Sequence, residues 1–254
     1  MNRLRAVVFD VDGTLVDSER DGHRVAFNAA FEEFGLPDHW DVETYGRLIR
    51  IAGGAQRLTA WFEANGRTHE ESVALARRVH RRKTEIMREL VQTPISVELP
   101  APGEACSTEL RSEHGQIGPR PGVIALLDRL TAAGVPMHVA TTGTRAWVAP
   151  LLDRVFGDRF DIVITGSEVT DLKPDPTVYR EVIRRIGDSD GVVVVEDSGN
   201  GVRAAVGAGL PVLVTANPYT RDDDFTGATL VTDGFDDPRL VEWFDHRLGN
   251  RLGR

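Results

Sequence analysis

The sequence predicts an α/β fold: a doubly wound parallel sheet covered by helices, with a block of helices inserted into the chain. Three observations indicate this arrangement. Short apolar, β-branched runs alternate with helical patterns through the second half of the chain, one more such run opens the chain, and a purely helical pattern separates the two. Alternation of strands and helices is typical of parallel sheets whose faces are covered by helices.

The first predicted strand, residues 4–9, ends directly before Asp10, and the pair Asp12-Gly13 gives the next turn signal. From about residue 20 to residue 91, apolar side chains recur with a helical period. We therefore predict an α-helical cap domain over residues 18–92, inserted after the first strand.

Residues 93–118 are rich in Pro and Gly and include Cys106, so we interpret them as a long loop that returns to the core. The core domain comprises residues 1–17 and 119–254. Its second part predicts helices at residues 123–133, 146–155, 177–186 and 201–208, and strands at residues 136–140, 162–165, 192–195 and 211–214.

Composition narrows the classes of function. The chain has 254 residues, a formal net charge of -9 and scattered positive charges, so we expect no nucleic acid partner. The lone Cys106 cannot form an internal disulfide, and no apolar run approaches the roughly 20 residues that span a bilayer. We therefore expect a cytoplasmic protein with no membrane partner. Any phosphate site in such an acidic protein must gather its own cations.

Four polar clusters follow predicted strands at their carboxyl ends. In open parallel sheets, ligands bind at these ends, where the strand order reverses. The clusters are Asp10-Val11-Asp12-Gly13-Thr14, Thr141-Thr142-Gly143-Thr144, Lys173-Pro174 and Glu196-Asp197-Ser198. We expect them to form one site.

The acidic clusters suit phosphoryl transfer assisted by a metal. Asp10 can attack phosphorus to give an acyl phosphate, and Asp12 can help to form and hydrolyse it. Asp10, Asp197 and the backbone carbonyl of Asp12 offer the oxygen ligands that Mg2+ prefers. Plainer alternatives exist: the first string alone also fits an Asx turn or part of a calcium loop, and the Glu196 cluster also fits a helix cap.

The other two clusters offer positive charge and hydrogen-bond donors. Lys173 would offset the charge of the carboxylates and of the transferred phosphoryl group. Thr141, with the backbone N–H groups of Thr142 and Gly143, would form a neutral phosphate cradle. Taken alone, a lysine before proline is usually a surface residue, and Thr and Gly are ordinary turn residues.

In order and spacing, these clusters resemble the haloacid dehalogenase superfamily, in which Asp-x-Asp-Gly-Thr, a Thr or Ser, Lys-Pro and Glu-Asp-Ser-x-x-Gly follow one another. The resemblance implies a Rossmann-like core, Asp10 as nucleophile and Asp12 as general acid/base. It also implies Mg2+ held by Asp10, the Asp12 backbone and Asp197, with Glu196 in the same metal site. Dehalogenases of this superfamily lack the second aspartate, so Asp12 favours a phosphoric monoester hydrolase.

The cap sequence resembles the CbbY-like branch of this superfamily, through residues 16–24, Trp40-Asp41, Tyr45-Gly46 and Gly53-Gly54. This resemblance implies a small phosphorylated sugar as substrate, with xylulose 1,5-bisphosphate as one candidate. Contacts to the sugar hydroxyls would come from Glu19 and His23, and a second phosphate would be held by Tyr45, Arg50, Gly53 and Gly54, with Arg57 as a further candidate. The chain departs from the branch at Ala55, where a lysine is usual.

Two other functions are compatible with the sequence. A phosphomutase of the β-phosphoglucomutase type shares the core and the cap, but it must keep its aspartyl phosphate away from water. A non-catalytic regulator that binds sugar phosphates is disfavoured because all four clusters are intact. We expect the protein to act as a monomer.

Overall fold

The computed structural model describes residues 3–51, 53–92 and 117–249. Most of the predicted loop, including Cys106, lies outside these residues. The chain divides into two compact units. We refer to Met1–Asp17 with Gly118–Arg254 as the sheet unit and to Ser18–Ile117 as the helical unit.

The elements of the helical unit are a π-helical turn (Glu19–His23) and the helices α1 (Arg24–Glu33), α2 (Val42–Leu48), α3 (Gly54–Ala64) and α4 (His69–Gln92). The sheet unit contains β1 (Ala6–Phe9), α5 (Val123–Ala132), β2 (Met137–Ala140), α6 (Arg145–Phe156), β3 (Ile162–Ile164), α7 (Thr177–Ile186), β4 (Val192–Glu196), α8 (Gly199–Gly207), β5 (Val212–Thr215), β6 (Leu230–Thr232) and α9 (Pro238–Leu248).

The sheet has the strand order β3-β2-β1-β4-β5-β6, and its neighbouring strands all pair in parallel. β1 lies between β2 and β4, so Phe9 is opposite both Val139 and Val195. The residues of β1, β2, β4 and β5 are buried throughout, as expected for strands covered by helices on both faces. The predicted doubly wound α/β fold is confirmed.

One strand was missed by the sequence analysis. β6 offers only two apolar residues, Leu230 and Val231, whereas the equally short β3, which was predicted, is Ile-Val-Ile. β6 pairs with β5 at the edge of the sheet, where Val214 is opposite Val231. The edge position also leaves Val231 partly exposed, at 38% of its surface. β6 therefore lacks the continuous apolar run that identified the inner strands.

The helical unit has an aromatic core. Phe27, Phe31, Trp40, Tyr45 and Phe62 are all fully buried. The ring of Trp40 lies 4.7 Å from that of Phe27 and 5.0 Å from that of Phe31, measured between centroids. Such pairs add to the stabilisation that aromatic burial provides. Tyr45 is thus part of the core as well as a predicted site residue.

Within the described ranges, none of the helices combines the length and the apolar character that crossing a membrane requires.

Candidate active site

The predicted polar clusters follow strands that are neighbours in the sheet. Asp10 follows β1, Thr141 follows β2, and Glu196 is the last residue of β4. These three strands are adjacent in the order β2-β1-β4, so their carboxyl ends meet at one edge. Lys173 lies in the connection between β3 and α7.

Lys173 joins the clusters. Its Nζ donates to Asp10 Oδ1 at 2.6 Å, to Glu196 Oε1 at 2.6 Å and to the backbone oxygen of Ala140 at 2.8 Å. Its side chain is only 5% exposed. Burial opposes the positive charge, but the two carboxylates outweigh this effect and raise the pKa of Lys173 above its usual range. The lysine is therefore a fixed cation between two acids.

Asp10, Glu196 and Asp197 form a buried acidic cluster, in which one carboxylate oxygen from each lies within 4.8 Å of the others. Burial raises the pKa of Asp10 well above its usual range; Lys173 acts in the opposite direction, and the charges of Glu196 and Asp197 add to the rise. Burial likewise raises the pKa of Asp197 to about 8, with the charge of Glu196 as the next cause. The cluster therefore concentrates more negative charge than Lys173 offsets.

This donor set fits a divalent cation. Hard cations such as Mg2+ take oxygen ligands and bind through one or two carboxylates while keeping several waters. The buried oxygens of Asp10 and Asp197 are close enough together to share one ion. A bound cation would also counter the effects that raise the pKa values of these two acids, which are burial first and the charges of neighbouring carboxylates second.

Glu196 is held from several sides. Its Oε1 accepts from Tyr179 Oη at 2.5 Å in addition to Lys173, and its Oε2 accepts from Asp197 N at 3.2 Å and Ser198 Oγ at 3.4 Å. A Cβ on Gly201 would lie 1.9 Å from the carboxylate carbon, so the site needs glycine at that position. The carboxylate therefore has one fixed orientation, toward Lys173.

Tyr179 was not identified from the sequence. It lies on the buried face of α7 with Val178 and Val182, so its pattern resembles that of a core residue. Burial raises the pKa of its hydroxyl well above the usual range, so it is a hydrogen-bond donor to Glu196. Its ring also lies 4.9 Å from Lys173 Nζ.

Asp197 is held by two donors. The hydroxyl of Thr14 donates to Oδ1 at 3.0 Å, and the side-chain amide of Asn217 donates to Oδ2 at 2.7 Å. Gly13 lies against the same carboxylate: its φ is 80°, and a Cβ there would lie 2.5 Å from Oδ2. The left-handed backbone and the close approach both require glycine. Asn217 follows β5, so the rule of polar residues at strand ends would have indicated it.

The remaining predicted residues of the sheet unit are Asp12, Thr141, Thr142 and Gly143. Asp12 is half-buried, and its charge contributes to the raised pKa of Asp10. Thr141 is buried next to Ala140, and its Oγ1 accepts from the N–H of Gly143 at 3.0 Å. The predicted phosphate cradle needs the N–H of Gly143 to bind phosphate, but this N–H already donates to Thr141. Thr142 is exposed.

The helix-capping alternative applies to one residue of the fourth cluster. Ser198 Oγ accepts from Gly201 N at 3.1 Å and so caps α8. Glu196 and Asp197 make the contacts described above, so capping and the acidic cluster coexist.

In the helical unit, Glu19, Tyr45 and Arg57 form a network. Tyr45 Oη donates to Glu19 Oε2 at 2.5 Å, and Arg57 Nη1 donates to Tyr45 Oη at 3.0 Å. The guanidinium of Arg57 also lies 5.2 Å from the centroid of the tyrosine ring. Arg57 is only 7% exposed, whereas Arg50 is exposed. The buried cation beside two predicted residues is thus Arg57.

His23 belongs to a second group in the helical unit. Lys83 Nζ donates to His23 Nδ1 at 2.7 Å, and both side chains are buried. Lys83 was missed because it lies in a charged stretch of α4 that resembles a solvated helix face.

The predicted glycines lie at the start of α3. Gly53 has a φ of 84°, and a Cβ on Gly54 would lie 2.6 Å from the ring of His80. Burial lowers the pKa of His80 to about 4, with the charge of Lys83 as the next cause, so this imidazole is neutral at pH 7. The structure thus packs a neutral histidine against the second glycine.

Comparisons with known proteins agree with this geometry. The family model of the haloacid dehalogenase-like hydrolases matches residues 4–209. The plasmid-encoded protein CbbY of Cupriavidus necator is 36% identical over 246 residues, which cover 92% of this chain and 87% of that protein. A phosphoglycolate phosphatase of Shigella dysenteriae is 29% identical over 217 residues, or 82% of this chain and 79% of that protein.

A solved structure is also similar. The crystal structure of a CbbY mutant from Rhodobacter sphaeroides in complex with xylulose 1,5-bisphosphate has a TM-score of 0.71 and 33% sequence identity, and it covers 92% of this chain and 96% of that chain. The predictions of the superfamily, of its CbbY-like branch and of a phosphoric monoester hydrolase are confirmed. The chain belongs to the haloacid dehalogenase-like hydrolases.

Proposed function

We propose that the chain is a Mg2+-dependent phosphatase that hydrolyses a small sugar phosphate or bisphosphate through an aspartyl phosphate on Asp10. The observation that carries the proposal is the contact of Lys173 with both Asp10 and Glu196 inside a buried acidic cluster. This contact gathers a nucleophilic carboxylate, a fixed cation and candidate metal ligands at one edge of the sheet.

Asp10 forms the bond to phosphorus as the bond between phosphorus and the ester oxygen breaks. Asp12 gives its proton to the leaving alkoxide and takes one from the water that hydrolyses the aspartyl phosphate. Lys173 holds Asp10 Oδ1, and Thr141, next to the Ala140 carbonyl that Lys173 also binds, hydrogen-bonds the phosphoryl oxygens. The backbone N–H of Thr142 completes the predicted cradle, whereas that of Gly143 donates to Thr141 Oγ1 and orients this hydroxyl.

Mg2+ would be held by the carboxylates of Asp10 and Asp197 and by the backbone oxygen of Asp12, and it supplies charge neutralisation for the phosphoryl oxygens. Glu196 acts in the same acidic cluster, where its two oxygens fix Lys173 and the backbone at Asp197. Buried carboxylates whose pKa values are raised in the metal-free protein would become fully ionised ligands beside the ion.

We assign substrate selection to the helical unit and phosphoryl transfer to the sheet unit. A bisphosphate needs a cation for its second phosphate, and Arg57 offers a buried positive charge whose guanidinium is fixed by Tyr45 Oη and by the backbone oxygens of Leu48, Ile49 and Ile51. His23, Gly53, Gly54 and the exposed Arg50 complete the predicted set of substrate-binding residues. Similarity to a CbbY that was crystallised with xylulose 1,5-bisphosphate supports a pentulose bisphosphate as the first candidate.

Release of inorganic phosphate from a panel of sugar phosphates, including pentulose bisphosphates, tests this function. We expect release that needs Mg2+ and that Asp10→Asn abolishes, while Asp158→Asn, at an exposed aspartate, retains it. Conversion of glucose 1-phosphate into the 6-phosphate without release would instead identify a mutase. Absence of turnover with the whole panel would contradict an enzyme and favour a binding protein.

A further inference from the structure

Asp197 is oriented by a residue outside the four sequence clusters. The amide nitrogen of Asn217 donates to Asp197 Oδ2 at 2.7 Å and to the backbone oxygen of Gly13 at 3.3 Å. Asn217 follows β5, Asp197 follows β4 and Gly13 follows β1. One side chain thus links the loops that follow three different strands.

The orientation of the Asn217 amide is fixed by its other end. Oδ1 accepts from the backbone N–H groups of Tyr219 at 2.8 Å and Thr220 at 3.2 Å. Since only the oxygen can accept these two bonds, the NH2 group must face Asp197. The turn after β5 therefore presents a donor, and not an acceptor, to the carboxylate.

Arg120 fixes the same loop from another side. Its Nη1 donates to the backbone oxygens of Gly13 at 2.6 Å and Thr215 at 2.7 Å, and its Nη2 donates to that of Ala216 at 2.9 Å. The Gly13 carbonyl thus receives donors from both Arg120 and Asn217. These bonds join the loop that carries Asp12 to the end of β5.

We infer that Asn217 is a positioning residue for the metal site: with Arg120, it holds Asp197 and, through the Gly13 carbonyl, the loop segment directly after Asp12 in the arrangement that binds Mg2+. The inference rests on the proposed function. It adds that the affinity for the metal depends on the turn after β5, which contains none of the proposed ligands. Hydrogen bonds to a metal ligand hold it in its binding orientation and tune its basicity.

Metal affinity of the full-length chain tests this role without relying on turnover. The probe is MgCl2 alone, titrated by calorimetry and by the Mg2+-induced rise in Tm. Asn217→Ala removes the donor to Asp197, and we expect the Kd for Mg2+ to rise by about 10-fold or more. In phosphate release, the Mg2+ concentration for half-maximal rate should rise similarly, with a smaller change in kcat at saturating Mg2+.

Two further variants separate positioning from loop stability. Asn217→Ser keeps a hydroxyl that can accept from the turn N–H groups but is too short to reach Asp197, so it should behave like Asn217→Ala. Thr220→Val removes the hydroxyl that accepts from Asn217 N at 3.2 Å and leaves the amide donor in place, so its Mg2+ affinity should stay within about 2-fold of wild type.

Unchanged Mg2+ affinity in Asn217→Ser, or an equal loss in Thr220→Val, would overturn the inference while leaving the proposed function intact. A wild-type protein that neither binds Mg2+ nor releases phosphate would overturn both.

Discussion

Replacing Lys173 with Met tests the charge balance of the acidic cluster. Met has a similar length and no charge, so the change removes three hydrogen bonds of Nζ, at 2.6, 2.6 and 2.8 Å, and leaves the carboxylates of Asp10 and Glu196 without their cation. The side chain is 5% exposed, so water cannot replace the lost donors in place. Both stability and activity should therefore fall.

The magnitude follows from these contacts. Hydrogen bonds to charged groups contribute about 2 kcal/mol each, so the two bonds to carboxylates amount to about 4 kcal/mol. Removing one partner of a buried ion pair costs about 3 to 5 kcal/mol, which agrees. For a chain of this size, 1 kcal/mol shifts Tm by about 2 to 4 °C, so Tm should fall by about 10 °C. Loss of the cation beside the reacting group should lower kcat by about 100-fold or more.

Thermal unfolding with EDTA and with Mg2+, together with phosphate release, measures these effects. We expect Mg2+ to raise the Tm of Lys173→Met more than that of wild type. In the variant, the carboxylates of Asp10 and Glu196 lack the lysine's positive charge, so the ion neutralises more of their repulsion. The chain offers a matched control in Lys83→Met, the other buried lysine, whose hydrogen bond is to His23. Its Tm loss should not depend on Mg2+. A Lys173→Met protein as stable and as active as wild type would refute the reasoning.

Three other predictions concern separate parts of the chain. Gly201→Ala would place a Cβ 1.9 Å from the carboxylate carbon of Glu196. We therefore expect about 10-fold slower phosphate release from a variant whose circular dichroism spectrum shows a native fold. Wild-type activity would contradict this close packing. Arg57→Lys should raise KM for a sugar bisphosphate about 10-fold but hardly change KM for a monophosphate. Arg47→Ala, at an exposed arginine, should change neither KM. Equal effects of Arg57→Lys on both substrates would exclude a role in binding the second phosphate. Burial lowers the pKa of His80 to about 4 in the folded protein. Between about pH 6.5 and 4, the unfolded chain therefore binds more protons than the folded chain does. The free energy of unfolding should fall by up to about 3 kcal/mol as the pH falls through this window. Urea unfolding of His80→Gln should show a shallower decline there, and an unchanged slope would argue against a neutral, half-buried imidazole.

The fold and the grouping of Asp10, Lys173, Glu196 and Asp197 could be predicted from the sequence because strands and polar clusters coincide. Asp10, Thr141 and Glu196 each lie at or just after the end of a buried strand, so a short apolar run followed by a polar residue identifies them. β6 was missed because its sequence, Leu-Val-Thr, contains only two apolar residues, whereas the equally short β3 is Ile-Val-Ile. Register and strand order follow from pairing across the sheet, which local patterns do not record.

Residues whose role comes from tertiary contacts were missed. Tyr179 has the pattern of a core residue, and only its hydroxyl, which donates to Glu196, shows another role. Lys83 lies on a charged helix and is nevertheless buried against His23. Arg50 was predicted ahead of Arg57 as a ligand of the second phosphate, because the burial of Arg57 and its contact with Tyr45 arise only in the folded helical unit.

The most direct test is to trap the covalent intermediate. A 32P-labelled phosphate ester is mixed with the protein and Mg2+, turnover is quenched with acid, and the label is located by mass spectrometry. We predict a hydroxylamine-labile phosphoryl group on Asp10 that is absent from Asp10→Asn, together with loss of phosphate release in that variant. Label on another residue, or undiminished release by Asp10→Asn, would contradict Asp10 as the nucleophile.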